Sequence, residues 1–134
     1  MIATKAKLSS KMKARLVKLG NRYWRLNHLY WIIDQDGNKV LFEMNVVQKI
    51  LYFALWWLNL VPKSRQHGIT TFFAIFMLDA TLFNSNVRAG IIAHKLLDAK
   101  RIFKDKIRFA YENLPDDLKA ARTLVKDDAQ ELVF

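Results

Sequence analysis

The 134-residue chain contains no cysteine, which excludes disulfide scaffolds and zinc sites built from cysteine. Its three histidines, His28, His67 and His94, lack the spacing of metal ligands. Its apolar runs are too short for a membrane span, because such a helix needs about 20 apolar residues and polar and basic residues separate residues 50–61 from residues 69–78. The N-terminus also lacks the apolar segment and small-residue cleavage site of a secretory signal.

Acidic residues are absent from the first 28 residues, although the whole chain carries twelve. The formal net charge is +10, and this basic segment favours polyanions because cations release counterions at phosphates. A solubilising or disordered tail is the alternative. The cations of the segment are Lys5, Lys7, Lys11, Lys13, Arg15, Lys18, Arg22 and Arg25.

The same segment is predicted to contain a short amphipathic helix. Ser10 is a suitable N-cap and Gly20 a suitable stop, and Met12, Leu16 and Leu19 follow helical spacing. A basic amphipathic helix also suits a membrane surface.

Residues 63–71, K-S-R-Q-H-G-I-T-T, have the pattern of a phosphate-binding loop whose lysine has moved. In the usual G-x-x-x-x-G-K-[ST] loop, glycines expose backbone N–H groups, lysine reaches the β- and γ-phosphates and the hydroxyl binds Mg²⁺. Aligning Gly68 with the second glycine puts Thr70 at the magnesium hydroxyl, Ile69 at the lysine and Lys63 at the first glycine. An ordinary loop can have the same sequence, so the neighbouring residues must distinguish a phosphate-binding loop from an ordinary one.

The neighbouring residues favour the phosphate loop. Residues 59–62 are short and apolar and predict a strand that leads into the loop. Residues 70–84 are apolar all round a helical wheel, which is typical of a buried helix or a membrane span. Residues 87–93 predict a second strand. Strand, loop, helix and strand is the order that such a loop requires, because the helix N-terminus supplies N–H donors and the positive dipole end.

The remaining elements are predicted from their patterns. Residues 29–42 read as a hairpin around Asp36-Gly37-Asn38, and residues 45–58 as a helix whose aromatic series we expect in the core. Residues 95–113 predict an amphipathic helix with a solvated basic face, and Pro115 a helix start. The acid pairs at 116–117 and 127–128 are expected at the surface, since no nucleophile or metal ligand lies near them in the sequence.

A long co-linear series of residues resembles one known family, the large terminase subunit of tailed bacteriophages, in its N-terminal ATPase part. That subunit is the motor that packages DNA into procapsids. The resemblance spans about residues 29–134. It consists of L-Y-W-I at 29–32, N-x-x-Q at 45–48, P-K-S-R-Q-x-G-x-T-T at 62–71, L-F-x-x-N at 82–86, G-I-I-A-H at 90–94 and I-F-x-D-K-I-x-F-A-Y-x-N-L-P at 102–115.

The resemblance implies a partial P-loop NTPase fold: a three-layer α/β/α arrangement with an incomplete sheet, comprising residues 29–134 and preceded by a basic helical arm at 1–28. It implies ATP and Mg²⁺ as cofactors, with Thr70 binding the metal and Thr71 as the alternate. The loop lysine in this family commonly lies near the loop's start, and Arg65 is a possible cis arginine finger. The implied nucleotide-binding residues are Lys63, Ser64, Arg65, Gln66, Gly68, Thr70 and Thr71, with Gln48 contacting adenine.

A working motor of this family needs a Walker B carboxylate pair, a catalytic glutamate, a coupling motif and a nuclease domain, and the 134 residues contain none of them. We therefore expect a truncated phage or prophage fragment that binds ATP without being catalytically competent alone. The implied partners are double-stranded DNA, the small terminase subunit and the portal, in the cytoplasm of a bacterial host and without a membrane. The alternatives are a small basic DNA-binding protein without ATP chemistry and, less favoured, a small membrane-associated protein.

The implied topology also carries an expectation about stability. In this division of P-loop folds, strands from later in the chain separate the loop strand from the next strand in sequence. Residues 60–62 and 89–93 would therefore flank a gap, and the apolar face of helix 70–84 would be uncovered. Because unpaired edges and large apolar patches promote association, we expect the chain alone to self-associate or aggregate, unless the hairpin or the C-terminal segment closes the gap.

Overall fold

In the computed structural model, the chain is mixed α/β and mostly helical, and the residues described are 9–62, 67–122, 126–127 and 131–133. The helices are α1 (Ser10–Gly20), α2 (Arg22–His28), α3 (Val46–Ala54), α4 (Ile69–Phe83), α5 (Leu96–Ile102), a π-helical segment (Phe103–Arg108), α6 (Phe109–Glu112) and α7 (Asp116–Ala121). The strands are β1 (Trp31–Ile33), β2 (Lys39–Leu41), β3 (Lys126–Asp127) and β4 (Leu132–Val133). β1 pairs with β2 and β3 with β4, both antiparallel.

The short basic helix that the sequence predicts is confirmed as α1. Its N-cap is Ser9 rather than Ser10, because the Ser9 hydroxyl accepts a hydrogen bond from the Met12 N–H at 3.3 Å. Helix α2 follows directly, and the Asn21 side chain caps it by accepting from the Trp24 N–H at 3.1 Å. Helix α2 packs against α4, and its residues Arg25, Leu26 and Asn27 are buried, so the end of the basic segment belongs to the core.

The predicted hairpin is also confirmed. Trp31 lies opposite Leu41 in the β1–β2 register. The Asp34 carboxylate holds the turn by accepting from the N–H groups of Asn38 and Asp36, at 2.8 and 2.9 Å. These hydrogen bonds, the one from Asn38 first, lower the pKa of Asp34, because they favour the charged carboxylate.

Helix α4 is the centre of the core, close to the bounds that the sequence predicts. The expectation that its apolar face is uncovered is wrong, because Thr70 is its only exposed residue. Helix α2 and the π-helical segment pack against it. The buried apolar core consists of Leu26, Leu29, Tyr30, Phe42, Met44, Phe72, Ala74, Ile75, Leu78, Leu82, Ile107, Ala110, Tyr111 and Leu114.

The two strands predicted beside the loop are absent. Residues 59–62 and 87–93 make no strand pairing, and every described strand belongs to one of the two antiparallel pairs. An extended segment without a partner leaves its ladder hydrogen bonds unmade, and a single strand is not stable by itself. The described residues thus form a mixed α/β fold with a two-stranded sheet, but they do not form the parallel sheet of a P-loop NTPase.

The aromatic series of residues 45–58 is not in the core, contrary to expectation. Helix α3 ends at Ala54, and Trp56 and Trp57 are 75% and 82% exposed. Ile50 and Phe53 are exposed as well, although partly buried Leu51 and Leu55 pack against the core. The reason is that one face of this nine-residue helix covers the core and the chain then leaves it.

The C-terminal helices agree with the predicted pattern. The chain is helical from Leu96 to Glu112, with the π-helical segment in the middle, and Ile107 and Ala110 are buried. Leu96, predicted on the same apolar stripe, is exposed. Helix α7 begins directly after Pro115, as expected. Within the described part of the chain, none of the helices has the length and apolar character needed to cross a bilayer.

Candidate functional site

The second half of the predicted phosphate loop forms the N-terminus of α4. Gly68 is the N-cap residue in a left-handed conformation, with φ 65° and ψ 16°, and its carbonyl accepts from the Phe72 N–H at 2.9 Å. No side chain caps this end of the helix. Gly68 is required here for two reasons: L-residues rarely adopt its φ, and an added Cβ would lie 2.7 Å from the Gln48 Nε2 atom.

Gln48 joins helix α3 to this loop. Its Nε2 atom donates to the Gly68 carbonyl at 3.0 Å and to the His67 carbonyl at 3.4 Å. Its Oε1 atom accepts from the Asn45 N–H at 3.0 Å, while the Asn45 side chain accepts from the Gln48 N–H at 2.9 Å, which completes a capping box. The structure therefore brings together two of the sequence-predicted site segments, residues 45–48 and 67–71.

The amide of Gln48 is 4% exposed and both of its polar ends are already hydrogen-bonded within the protein. In this arrangement its role is to hold the loop in place. The adenine contact assigned to Gln48 from sequence stays a prediction, since an adenine ring would have to replace some of these internal bonds.

A lysine that sequence reasoning missed reaches the same helix end. The Lys106 ammonium, on the π-helical segment, donates to the Thr71 hydroxyl at 2.7 Å. Burial lowers the pKa of Lys106, and the neighbouring charge of Asp105 counteracts the shift in part. The one sequence signal for Lys106 was its membership of the I-F-x-D-K-I string. Because Lys106 occupies the Thr71 hydroxyl, the exposed Thr70 is the better placed of the two predicted magnesium ligands.

Four of the predicted phosphate-loop residues, Lys63, Ser64, Arg65 and Gln66, lie outside the described residues. Their assigned roles stay predictions. No group of three or more histidine and carboxylate side chains suited to a metal ion occurs among the residues that are described. The Mg²⁺ site at Thr70 is therefore a prediction from the loop pattern.

A buried ion-pair cluster fixes α4 against α2 and against Tyr30, the residue before β1. Asp79, which is 0% exposed, accepts from the Nε and Nη2 atoms of Arg25, each at 2.8 Å, and from the Tyr30 hydroxyl at 2.7 Å. Arg22 Nε lies 3.4 Å from the same carboxylate. No local sequence pattern indicates this cluster, because Arg25 and Asp79 are 54 residues apart.

The charges of this cluster shift two pKa values. Burial raises the pKa of Tyr30 well above its usual value, and the negative charge of Asp79 adds to the increase, since both disfavour the phenolate. For Arg25, burial opposes the charged form, but the hydrogen bonds and charge of Asp79 outweigh it and raise the pKa. Arg25 also lies over the Phe83 ring, 4.1 Å from its centroid. Arg25 therefore keeps its charge and Tyr30 its proton, and the contacts of the cluster hold α2 against α4.

A groove of about 870 Å³ lies on the other side of α4, between its C-terminal half, residues 86–91 and α5. Its lining mixes apolar side chains, such as Leu78 and Phe103, with the cations Arg88, Lys100 and Arg122. None of the sequence-predicted site residues lines it. It is therefore a second concave surface, separate from the loop at the start of α4.

Comparisons of the chain with models of protein families, with curated proteins and with solved structures found no match.

Proposed function

We propose that the chain is the ATP-binding part of a terminase-like DNA-packaging ATPase, with residues 63–71 as its phosphate loop. The hydrogen bond from Gln48 Nε2 to the Gly68 carbonyl, at 3.0 Å, carries this proposal. The two residues are 20 positions apart. The loop motif indicates Gly68, and the resemblance implies Gln48 at the same nucleotide site. Their contact supports a common site.

The position of this contact also suits an anion. It lies at the N-terminus of the 15-residue helix α4, where the dipole is positive and first-turn N–H groups have no carbonyl partner in the helix. Phosphates bind such helix ends readily. Lys106 adds a positive charge 2.7 Å from Thr71 in the same turn.

The burial of Ile69 gives a physical reason for the displaced lysine. Ile69 is 5% exposed and faces the core, so a lysine at this position would have to bury its ammonium group at a large cost. The charge that the phosphates require is then better supplied from elsewhere. In this proposal it comes from Lys63 and Arg65 at the start of the loop and from Lys106 beside its end.

The carboxylates of the described residues favour ATP binding without ATP hydrolysis. Hydrolysis needs Mg²⁺ held jointly by the loop hydroxyl and an acidic residue, together with a positioned water. Asp79, the buried carboxylate of the described part, is already bonded to Arg25 and Tyr30. The chain therefore binds ATP and does not hydrolyse it. Double-stranded DNA, the small terminase subunit and the portal are proposed partners on the resemblance alone.

The proposal is tested by titrating a fluorescent ATP analogue with Mg²⁺ into the parent chain and into Lys63→Ala, Arg65→Ala and Lys106→Ala. Each variant loses one charged contact to phosphate, so affinity should fall about tenfold, as charge-assisted hydrogen bonds contribute roughly 1.5–3 kcal/mol. Lys104→Ala is the matched control, since Lys104 is an exposed cation outside the site. Equal affinity in all four variants and the parent would remove the proposal.

A further inference from the structure

A large apolar surface is exposed on α3 and the residues that follow it. Seven large apolar side chains within residues 46–60 are between 66% and 95% exposed, and we call them the aromatic patch: Val46, Ile50, Phe53, Trp56, Trp57, Leu58 and Leu60. Soluble monomers rarely expose so many large apolar side chains together, and such patches mark interaction surfaces. The patch is separate from the residues of the nucleotide proposal.

Helix α2 adjoins the patch through Tyr23. The Tyr23 ring of α2 stacks on Phe53 at 5.7 Å between centroids and meets the edge of Tyr52 at 5.6 Å. Helix α1, immediately before α2, exposes its own apolar side chains, Met12 and Leu16 among them, between several lysines. The whole of residues 1–28 lacks acids. The exposed lysines of α1 are Lys11, Lys13 and Lys18, whereas Arg22 and Arg25 lie beside the buried Asp79.

We propose that the aromatic patch docks reversibly on an anionic phospholipid membrane surface, with Trp56 and Trp57 at the headgroup level and the basic helices over the headgroups. Tryptophan favours the membrane interface because its ring is apolar and its N–H is polar. Exposed aliphatic side chains gain by entering the acyl boundary, and cations are attracted to anionic lipids. Docking of this kind requires no membrane-spanning helix.

Charge and side-chain type favour a membrane over two other occupants. A second copy of the chain would bring another net charge of +10 to the surface, and the two copies would repel. Single-stranded nucleic acid stacks its bases on aromatic rings, but four of the seven patch side chains are aliphatic and offer no ring. An anionic bilayer complements both the aliphatic side chains and the cations.

The test uses the full chain with vesicles of phosphatidylcholine alone and of phosphatidylcholine mixed with phosphatidylglycerol. Co-sedimentation measures binding, and tryptophan emission with brominated lipids measures insertion. The parent chain should bind the anionic vesicles, shift its emission to the blue and be quenched. Trp56→Ala/Trp57→Ala should weaken binding at least about tenfold, because two large apolar side chains no longer enter the interface.

Two further variants make the test specific. Leu96→Ala/Leu97→Ala, which removes two exposed apolar side chains on α5, should bind as the parent does. Lys11→Gln/Lys13→Gln should weaken binding about fivefold for each cation removed. If the tryptophan variant loses its fold by circular dichroism, Leu58→Ala/Leu60→Ala replaces it in the same comparison.

Three results would overturn the proposal. The first is no binding to anionic vesicles. The second is binding that the tryptophan and leucine variants of the patch leave unchanged, which would indicate electrostatic attraction alone. The third is a concentration-dependent dimer in the absence of lipid that Trp56→Ala/Trp57→Ala dissociates, which would identify a second copy as the occupant.

Discussion

Replacing Asp79 with asparagine tests the buried ion-pair cluster that orders the core around α4. The parent carboxylate accepts two hydrogen bonds from Arg25 at 2.8 Å and one from Tyr30 at 2.7 Å. An asparagine keeps the shape but loses the charge and turns an NH₂ donor toward another donor. Breaking a buried pair in this way leaves Arg25 uncompensated and costs about 3–5 kcal/mol. That is a large part of the roughly 5–15 kcal/mol by which a domain is stable.

Urea unfolding followed by circular dichroism gives the free energy of unfolding of each variant. Asp117→Asn is the matched control, because its ion pair with Arg15, at 2.7 Å, is about half exposed and surface pairs contribute at most about 1 kcal/mol. Arg25→Met combined with Asp79→Leu and Tyr30→Phe should recover part of the loss, since this change removes the buried charges of the pair together with the hydroxyl that donates to Asp79. If Asp79→Asn costs no more than Asp117→Asn, the cluster does not stabilise the core as argued.

Three further predictions follow from the described contacts. Gly68→Ala should destabilise the chain by about 1–2 kcal/mol, because Gly68 has a positive φ and the added Cβ would meet Gln48. The control Gly20→Ala, which has open space around it, should be neutral or stabilising. Equal effects of the two variants in thermal unfolding would contradict this prediction. Because folding raises the pKa of Tyr30, the stability due to this residue should be complete below about pH 10 and fall as the pH rises further. Urea midpoints measured against pH for the parent and for Tyr30→Phe test this prediction. Equal slopes of midpoint with pH in the two proteins would count against it. The purified chain should release no phosphate from Mg²⁺–ATP; sustained release that Thr70→Ala abolishes would disprove this.

Local patterns predicted several elements because the interactions that form them are local. The hairpin turn depends on Asp34 and its near neighbours, and the helix predicted to begin at residue 45 has its N-terminus capped by Asn45 and Gln48, three residues apart. Helix α4 was predicted because a long apolar segment needs burial on all sides. The hairpin turn and the helix cap thus find their partners within a few residues, whereas α4 is covered by α2 and the π-helical segment.

Features that depend on distant residues were missed or wrongly predicted. The pairing of Arg25 with Asp79 requires α2 to pack against α4, which no local pattern indicates. Residues 59–62 and 87–93 have the composition of strands, but a strand needs a paired neighbour, and the described chain gives them none. Trp56 and Trp57 were expected inside because of their area, yet α3 ends before them and they face outward.

At the candidate site, too, the local features were predicted and the features that depend on distant residues were missed. The sequence predicted Gly68 and the residues around it from a short motif, and the structure adds its contact with Gln48. Lys106 was missed because its proximity to Thr71 arises from packing of the π-helical segment on α4. The nucleotide assignment itself stays a proposal, since four of its residues lie outside the described part of the chain.

The most direct test of that proposal is an NMR titration of the ¹⁵N-labelled chain with Mg²⁺–ATP, following the backbone amide of every assigned residue. We expect saturable shifts that are largest at Gly68, Thr70 and Thr71, where N–H groups of the first turn of α4 would meet phosphate. These shifts should weaken in Lys63→Ala. Shifts centred instead on the groove beside Arg88, or the absence of saturable shifts, would contradict it.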